Sequence, residues 1–237
     1  MAKIHFMQFQ IRIQPSDSLV LRDPEDTPLG RNIVRKGLIM MHRLGYEQFT
    51  FRKLADEIGT TEASIYRYFV NKHRLLLYIL NWYWNFLEYL VVFSLQNMDD
   101  AEQKIRKVIE LLVLELPDGM DNSGFDKKAL YEIVIAESSK VYLTREVEQI
   151  NHGQLFKPYK DLCARIADLF MAYNPNYPYP RSLASTLLEM SHYQSFFMVH
   201  LPRLTDFSQD KRLDNVRAFL ENLVFAAIRQ SHSGRGS

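Results

Sequence analysis

Cysteine is nearly absent: Cys163 is the only one in 237 residues. A lone thiol cannot close a disulfide within the chain or supply a cysteine-cluster metal site, and it suits a reducing compartment. Glycine and proline are also scarce, nine each, too few for a collagen-like or low-complexity chain. Excess charge of one sign is missing too, with a formal balance of +1, unlike a disordered polyelectrolyte. The opening MAKIHFMQFQIRIQ has no continuous apolar run and no small-residue cleavage site, so a cytoplasmic location is expected. There is no glycine-rich phosphate loop and no nucleophile elbow. His192 and His200 stand two helical turns apart, too far for one metal, and His152 is remote in sequence. Cys163 has no neighbouring signal for a reactive thiolate. Catalysis, metals and cofactors therefore have no support, and the chain is not expected to be an enzyme.

What is plentiful is core material: 47% hydrophobic and 13% aromatic residues, including fifteen Phe and thirteen Tyr. A chain of this length buries roughly 70–75% of the surface it exposes when unfolded. Residues 75–95, LLLYILNWYWNFLEYLVVFSL, approach the length of a membrane span. Asn81, Asn85 and Glu88 interrupt the run, and Trp82, Tyr83 and Trp84 sit near its middle rather than its ends. A buried core helix is the expectation.

The small net charge conceals an uneven distribution. Residues 27–80 carry a balance of +5, residues 1–26 of −1, and residues 81–237 of −3. A basic module fused to a mildly acidic body suggests a polyanion-binding head on a regulatory domain.

Four segments follow. Residues 1–26 alternate apolar and polar side chains through Met7, Phe9, Ile11 and Ile13, turn at PSDS, and continue as LVLR at 19–22. This predicts a short β-hairpin, structural rather than DNA-reading because its charge is wrong for a minor-groove arm. After Pro28 every pattern is helical, so the fold class is all-α. Residues 27–74 are expected to hold three helices and the start of a fourth. Residues 75–230 hold the remaining helices, expected near 100–116, 126–143, 145–151, 155–173, 181–200 and 208–230. The tail, 231–237, is expected to be disordered.

Residues 50–72, TFRKLADEIGTTEASIYRYFVNK, read as two short helices around a turn opened by Gly59. That is the shape of a helix-turn-helix, whose second helix enters the major groove. Ile65 and Phe69 would pin that helix to Leu54 and Ile58, leaving Glu62, Ala63, Ser64, Arg67 and Tyr68 outward. Thr50, Thr61, Tyr66 and Lys72 place hydroxyl or cationic groups at helix starts, where phosphates are held. Glu62 facing DNA needs a hydrogen-bond donor such as cytosine N4.

The string FTFRKLADEIGTTEASIYRYFVNKHRLLLYIL resembles the DNA-binding domain of the tetracycline-repressor (TetR) family of bacterial regulators. The Thr opening helix two, Leu54-Ala55, Gly59, Ala63-Ser64, Ile65-Tyr66, Tyr68-Phe69 and Asn71-Lys72 carry the resemblance, which covers about residues 29–80. It implies that Arg52 reaches a phosphate or a guanine edge and that Ala63 and Ser64 lie against bases. It implies further that Tyr66 and Lys72 hold phosphates and that Tyr68 straddles groove and backbone. The N-terminal hairpin departs from the family's short arm, and Phe51 stands where a small or hydroxyl residue is usual.

The resulting expectation is a sequence-specific transcriptional regulator, a repressor released by a small apolar or aromatic ligand. Its ligand pocket would draw on Tyr89, Phe93, Tyr131, Glu137, Tyr193 and Phe197, with Glu137 as a buried acid in an apolar stretch. The same aromatics could instead be plain core. In that case the alternative is a dimeric regulator controlled by a protein partner or by abundance. A homodimer on a palindromic double-stranded operator is expected, paired through the last two helices by Leu183, Leu187, Met190, Leu213, Val216, Leu220, Leu223 and Ala227.

Overall fold

The structure, a computed structural model, describes residues 19–113, 124–142 and 155–229. Regular structure among them is helical: α1 (Pro28–Leu44), α2 (Phe51–Ile58), α3 (Glu62–Tyr66), α4 (Lys72–Leu95), α5 (Ala101–Val113), α6 (Lys127–Tyr142), α7 (Lys157–Tyr173), α8 (Pro180–His200) and α9 (Leu213–Arg229). Short 3-10 turns stand at Pro24–Asp26 and Pro202–Leu204. The all-α class holds for these residues.

The hairpin is corrected in the part that is described. Leu19–Arg22, its expected second arm, forms a turn and bends instead of a strand. The physical reason is tertiary: Leu19 and Val20 are buried, and the Leu21 N–H donates to the Tyr68 carbonyl at 2.9 Å, so this backbone pairs with a helix end. The hairpin's first arm, the helix expected at 145–151 and the tail 231–237 lie outside the described residues.

The helix boundaries follow from local chemistry. Thr27 caps α1 by accepting the Gly30 N–H, and Pro28 occupies the first turn, where its missing donor costs nothing. Gly45, at φ 77°, ends α1. Thr50 caps α2, Thr61 caps α3, and the Asn71 carboxamide accepts the Arg74 N–H at 2.9 Å to start α4. Gly37 is a steric choice: a Cβ there would stand 2.9 Å from Leu75 Cδ2, so its bareness lets α1 close on α4.

The chain divides into two compact units. The first comprises Met1–Phe86 with Glu115–Lys157. It extends beyond the expected head because α6 packs against α1. Ile33, Leu38, Met41, Leu54, Ile65 and Phe69 form its core. Trp82 and Phe86 stack at 5.2 Å, Phe125 meets Trp82 edge-on, and Lys127 lies over both stacked rings.

The second unit comprises Leu87–Leu114 with Pro158–Ser237. There α5, α8 and α9 pack on one another, each burying residues three or four apart: Ile105, Val108, Ile109 and Leu112; Leu183, Leu187 and Leu188; Val216, Leu220, Val224 and Ile228. Helix α4 is long and apolar enough to cross a membrane by composition, but 78% of its apolar window is buried in protein. Its hydropathy is that of a core helix.

Candidate nucleic-acid interface

Helices α2 and α3 meet across Gly59, which adopts the left-handed conformation at φ 67° and sends its N–H to the Ala55 carbonyl. A Cβ there would touch nothing, so glycine is required by conformation rather than by space. Leu54, Ala55, Ile65 and Phe69 are buried as expected, whereas Ile58 is only half-buried. Helix α3 is short because Thr61 starts it, through the Ser64 N–H at 3.2 Å, and Arg67 already ends it.

The outward face carries Arg52, Ala63, Tyr66 and Arg67 exposed, with Glu62 and Ser64 half-buried. Thr50 and Thr61 are exposed, but their hydroxyls already act as caps, and Thr61 also shares a hydrogen bond with the Ser64 hydroxyl at 3.0 Å. Tyr66 rests edge-on against Phe51 with centroids 5.2 Å apart, leaving its phenol outside. Phe51 itself is buried, so it serves as a platform and not as a contact.

Two expected contacts are drawn inward. Tyr68 is 3% exposed, and its hydroxyl hydrogen bonds the Thr27 hydroxyl at 2.7 Å. It does not straddle a groove, because Leu19–Arg22 covers it. The Lys72 ammonium donates to the carbonyls of Tyr46, Glu47 and Phe49 at 2.9, 3.1 and 3.3 Å and lies 4.5 Å over the Tyr46 ring. Lys72 has all three of its donors engaged at the α1–α2 junction, which closes the turn instead of reaching outward.

The remaining cations differ in how far they are neutralised. Arg43 pairs with Glu57 at 3.1 Å, and Lys53 donates to the Gln48 carbonyl. Glu47 pairs with Lys140 at 3.1 Å, and that hydrogen bond holds its carboxyl below the usual range. Burial, with Glu47 alongside, raises the Tyr46 phenol. Arg22, Arg52 and Arg67 have no carboxylate partner among the described residues. Arg67 and Arg22 were absent from the expected contact set. Arg67 could have been found from its outward position on α3, whereas Arg22 could not, because nothing local says that its segment returns to Tyr68. The assembled face presents small residues on a short helix flanked by unneutralised guanidiniums, which suits a groove edge and its phosphates.

Residues 33–79 match the model of the bacterial regulatory proteins of the tetR family. The matched stretch runs from Ile33 in α1 to Ile79 in α4, so the helix-turn-helix is similar to the DNA-binding domain of that family. Members of that family are DNA-binding regulators and not enzymes. No curated protein matches the sequence. Solved structures share the fold at low identity. AibR in complex with isovaleryl coenzyme A and operator DNA is 16% identical, over 83% of this chain and 99% of its own, with a TM-score of 0.56. A transcriptional regulator from Saccharomonospora viridis in complex with choline is 19% identical, over 82% and 94%, with a TM-score of 0.55. The fatty acid degradation regulator FadR from Bacillus halodurans is 18% identical, over 81% and 96%, with a TM-score of 0.55.

Outside the matched residues, the pocket candidates fall in different units. In the first, Tyr131 is half-buried, and the buried Glu137 carboxylate lies 2.8 Å from the Lys140 ammonium. In the second, Tyr89 stacks on Phe93 at 6.1 Å and Tyr193 on Phe197 at 5.9 Å, with Phe93 exposed. Open grooves of about 430 and 470 Å³ are lined by Met40, Arg43 and Lys53 in one case and by Arg106, Asn222, Phe225 and Arg229 in the other. Neither includes a pocket candidate. Of the expected dimer residues, Leu183, Leu187, Val216 and Leu220 are buried within the chain, because α5, α8 and α9 already cover them. Met190, Leu213, Leu223 and Ala227 stay half-exposed. No group of metal-ligating side chains occurs among the described residues. Cys163 is half-buried and donates weakly to the Arg181 carbonyl, and burial raises its thiol pKa. His192, fully enclosed on α8, is held neutral by burial, its pKa lowered to about 4.

Proposed function

We propose that this protein is a sequence-specific transcriptional regulator that reads a palindromic DNA operator as a cytoplasmic homodimer. In this reading it is a repressor that a small apolar or aromatic ligand releases. The observation that carries the DNA-reading part is the outward face of α2 and α3. Ala63 and Ser64 let the helix approach base edges, Glu62 and Tyr66 border them, and Arg52 and Arg67 stand unneutralised beside them. Thr50 and Thr61, both exposed, cap the starts of the same two helices.

Ligand control has separate support. The structural relatives include one bound to isovaleryl coenzyme A and operator DNA and one bound to choline. In the second unit, Ser191, His192 and Ser195 put polar side chains in an otherwise apolar interior, the kind of polar minority that orients a ligand. Release requires only that the ligand bind the DNA-incompetent state more tightly than the competent one. The second reading, a dimeric regulator without an effector, is favoured by the close packing of Trp82, Phe86 and Phe125, rings that fill space and do not line it. Met190, Leu213, Leu223 and Ala227 supply half-exposed apolar side chains available to a partner subunit.

Selection of bound duplexes from a random DNA pool by the full chain tests the function. Enrichment of a two-fold symmetric sequence is the expected result, and recovery of the unenriched pool would overturn the reading. Adding the relatives' ligand classes, a short acyl thioester or a quaternary amine, to the selected complex then separates ligand release from effector-free control.

A further inference from the structure

Two residues that the tetR-family pattern assigns to the DNA backbone face inward here. Tyr68 is covered and hydrogen-bonded to Thr27, and Lys72 is saturated by three carbonyls. What covers Tyr68 is the segment ahead of α1. Leu19 and Val20 are buried, and Leu21 is tied through its N–H to the Tyr68 carbonyl. Behind them Asp23 caps the Pro24–Asp26 turn, and Pro24 sits on Gly30 so tightly that a Cβ there would stand 2.3 Å from the Pro24 carbonyl oxygen. The Arg31 guanidinium grips the Glu25 carbonyl. Held at both ends, the segment lays the Arg22 guanidinium 5.6 Å over the Tyr68 ring. Arg22 is exposed and has no carboxylate partner among the described residues.

We infer that Arg22 binds the DNA backbone in place of Tyr68, at the end of the recognition helix where Arg67 is also exposed. The ring of Tyr68 becomes the platform and the guanidinium the contact. An aromatic face under a guanidinium fixes its position without neutralising it, whereas a carboxylate in that place would have cancelled the charge. The inference rests on the DNA-binding reading above. It adds a residue that lies outside the helix-turn-helix and outside the matched residues 33–79.

The test is fluorescence anisotropy of the full chain on a mixed-sequence 30-base-pair duplex between 50 and 200 mM salt. One lost phosphate contact lowers the slope of log affinity against log salt by about 0.9. Arg22→Gln is expected to lower the slope by that amount and to weaken binding at 100 mM salt by roughly tenfold. Arg22→Lys should retain the wild-type slope, and Lys36→Gln, which removes an exposed charge of α1, should leave it unchanged. Wild-type slopes in Arg22→Gln alongside a lowered slope in Arg52→Gln would overturn the inference and spare the DNA-binding reading. Equal weakening by Arg22→Gln and Arg22→Lys at an unchanged slope would overturn it as a packing effect. A wild-type chain that binds no duplex would overturn both.

Discussion

Arginine behaves differently in the two units. On the α2–α3 face, Arg52 and Arg67 are exposed and have no carboxylate partner among the described residues. On the α5–α9 face, Arg106 pairs with Glu102 at 2.7 Å and with Glu221, while Arg229 pairs with Glu102 at 3.2 Å, and both guanidiniums lie over the Phe225 ring. Each surface is rich in the same side chain, but only the first has charge left for a polyanion. The second has internalised its charge as cross-helix ties, and these hold Glu102 below the ordinary carboxyl range. Counting basic residues would treat the faces alike. Pairing separates a binding surface from a self-satisfied one.

In this contrast the head coheres mainly through packing and backbone-directed contacts, with Arg43–Glu57 as an exposed arginine pair between α1 and α2. The harshest way to attack it is Gly30→Ala. Its Cβ would meet Pro24 backbone atoms at 2.3, 2.6 and 2.8 Å, and backbone cannot swing aside as a flexible side chain would. A loss of about 3 kcal/mol is expected, with the covering segment displaced from Tyr68. A thermal melt within a degree of wild type would show that the segment is not anchored as described.

In the second unit the corresponding weak point is a titratable group. His192 has a folded pKa of about 4 against an ordinary 6.5, so the unfolded chain takes up its proton first as pH falls. Its contribution is complete above pH 6.5 and is lost progressively toward pH 4. The loss reaches about 2 kcal/mol by pH 5, where carboxylate pairs are still ionised. Urea midpoints measured at pH 7 and pH 5 check this, and His192→Gln should flatten the difference.

Lys72→Ala is a milder probe of the head. Removing an ammonium from three carbonyls should cost about 1–2 kcal/mol while changing the salt slope of DNA binding by much less than one unit. A full unit of slope with unchanged stability would return Lys72 to the phosphate-holding role. The smallest effect is expected from Arg106→Gln. Its pairs with Glu102 and Glu221 are open to solvent and screened, so the melting temperature should barely move, and its DNA affinity should match wild type.

Features decided locally were legible in the chain itself. Thr50, Thr61 and Asn71 each cap the helix that their position announces, and of the two candidates ahead of Pro28, Asp26 and Thr27, it is Thr27 that caps α1, because a cap is settled within three residues. The left-handed Gly59 and the buried Ile65 and Phe69 follow from the same short range. What escaped was settled at long range. Tyr68 finds Thr27 across 41 residues, and Lys72 finds carbonyls 23 to 26 residues away. An apolar stripe such as Leu183 and Leu187 announces burial but not what covers it, and α5 does so before any partner could. The N-terminal segment shows how coarse a charge sum is: the −1 over residues 1–26 adds together Asp23, engaged as a cap, and Arg22, which has no carboxylate partner among the described residues. Sums of charge hide which charges are neutralised.

One measurement sets the two faces against each other: the salt dependence of duplex binding by two double variants that remove equal charge. Arg52→Gln with Arg67→Gln should lower the slope of log affinity against log salt by about two units, one per phosphate contact. Arg106→Gln with Arg229→Gln, corrected for folded fraction, should keep the wild-type slope. Equal slope changes in both variants, or no change in the first, would contradict the assignment of the α2–α3 face as the surface that reads DNA.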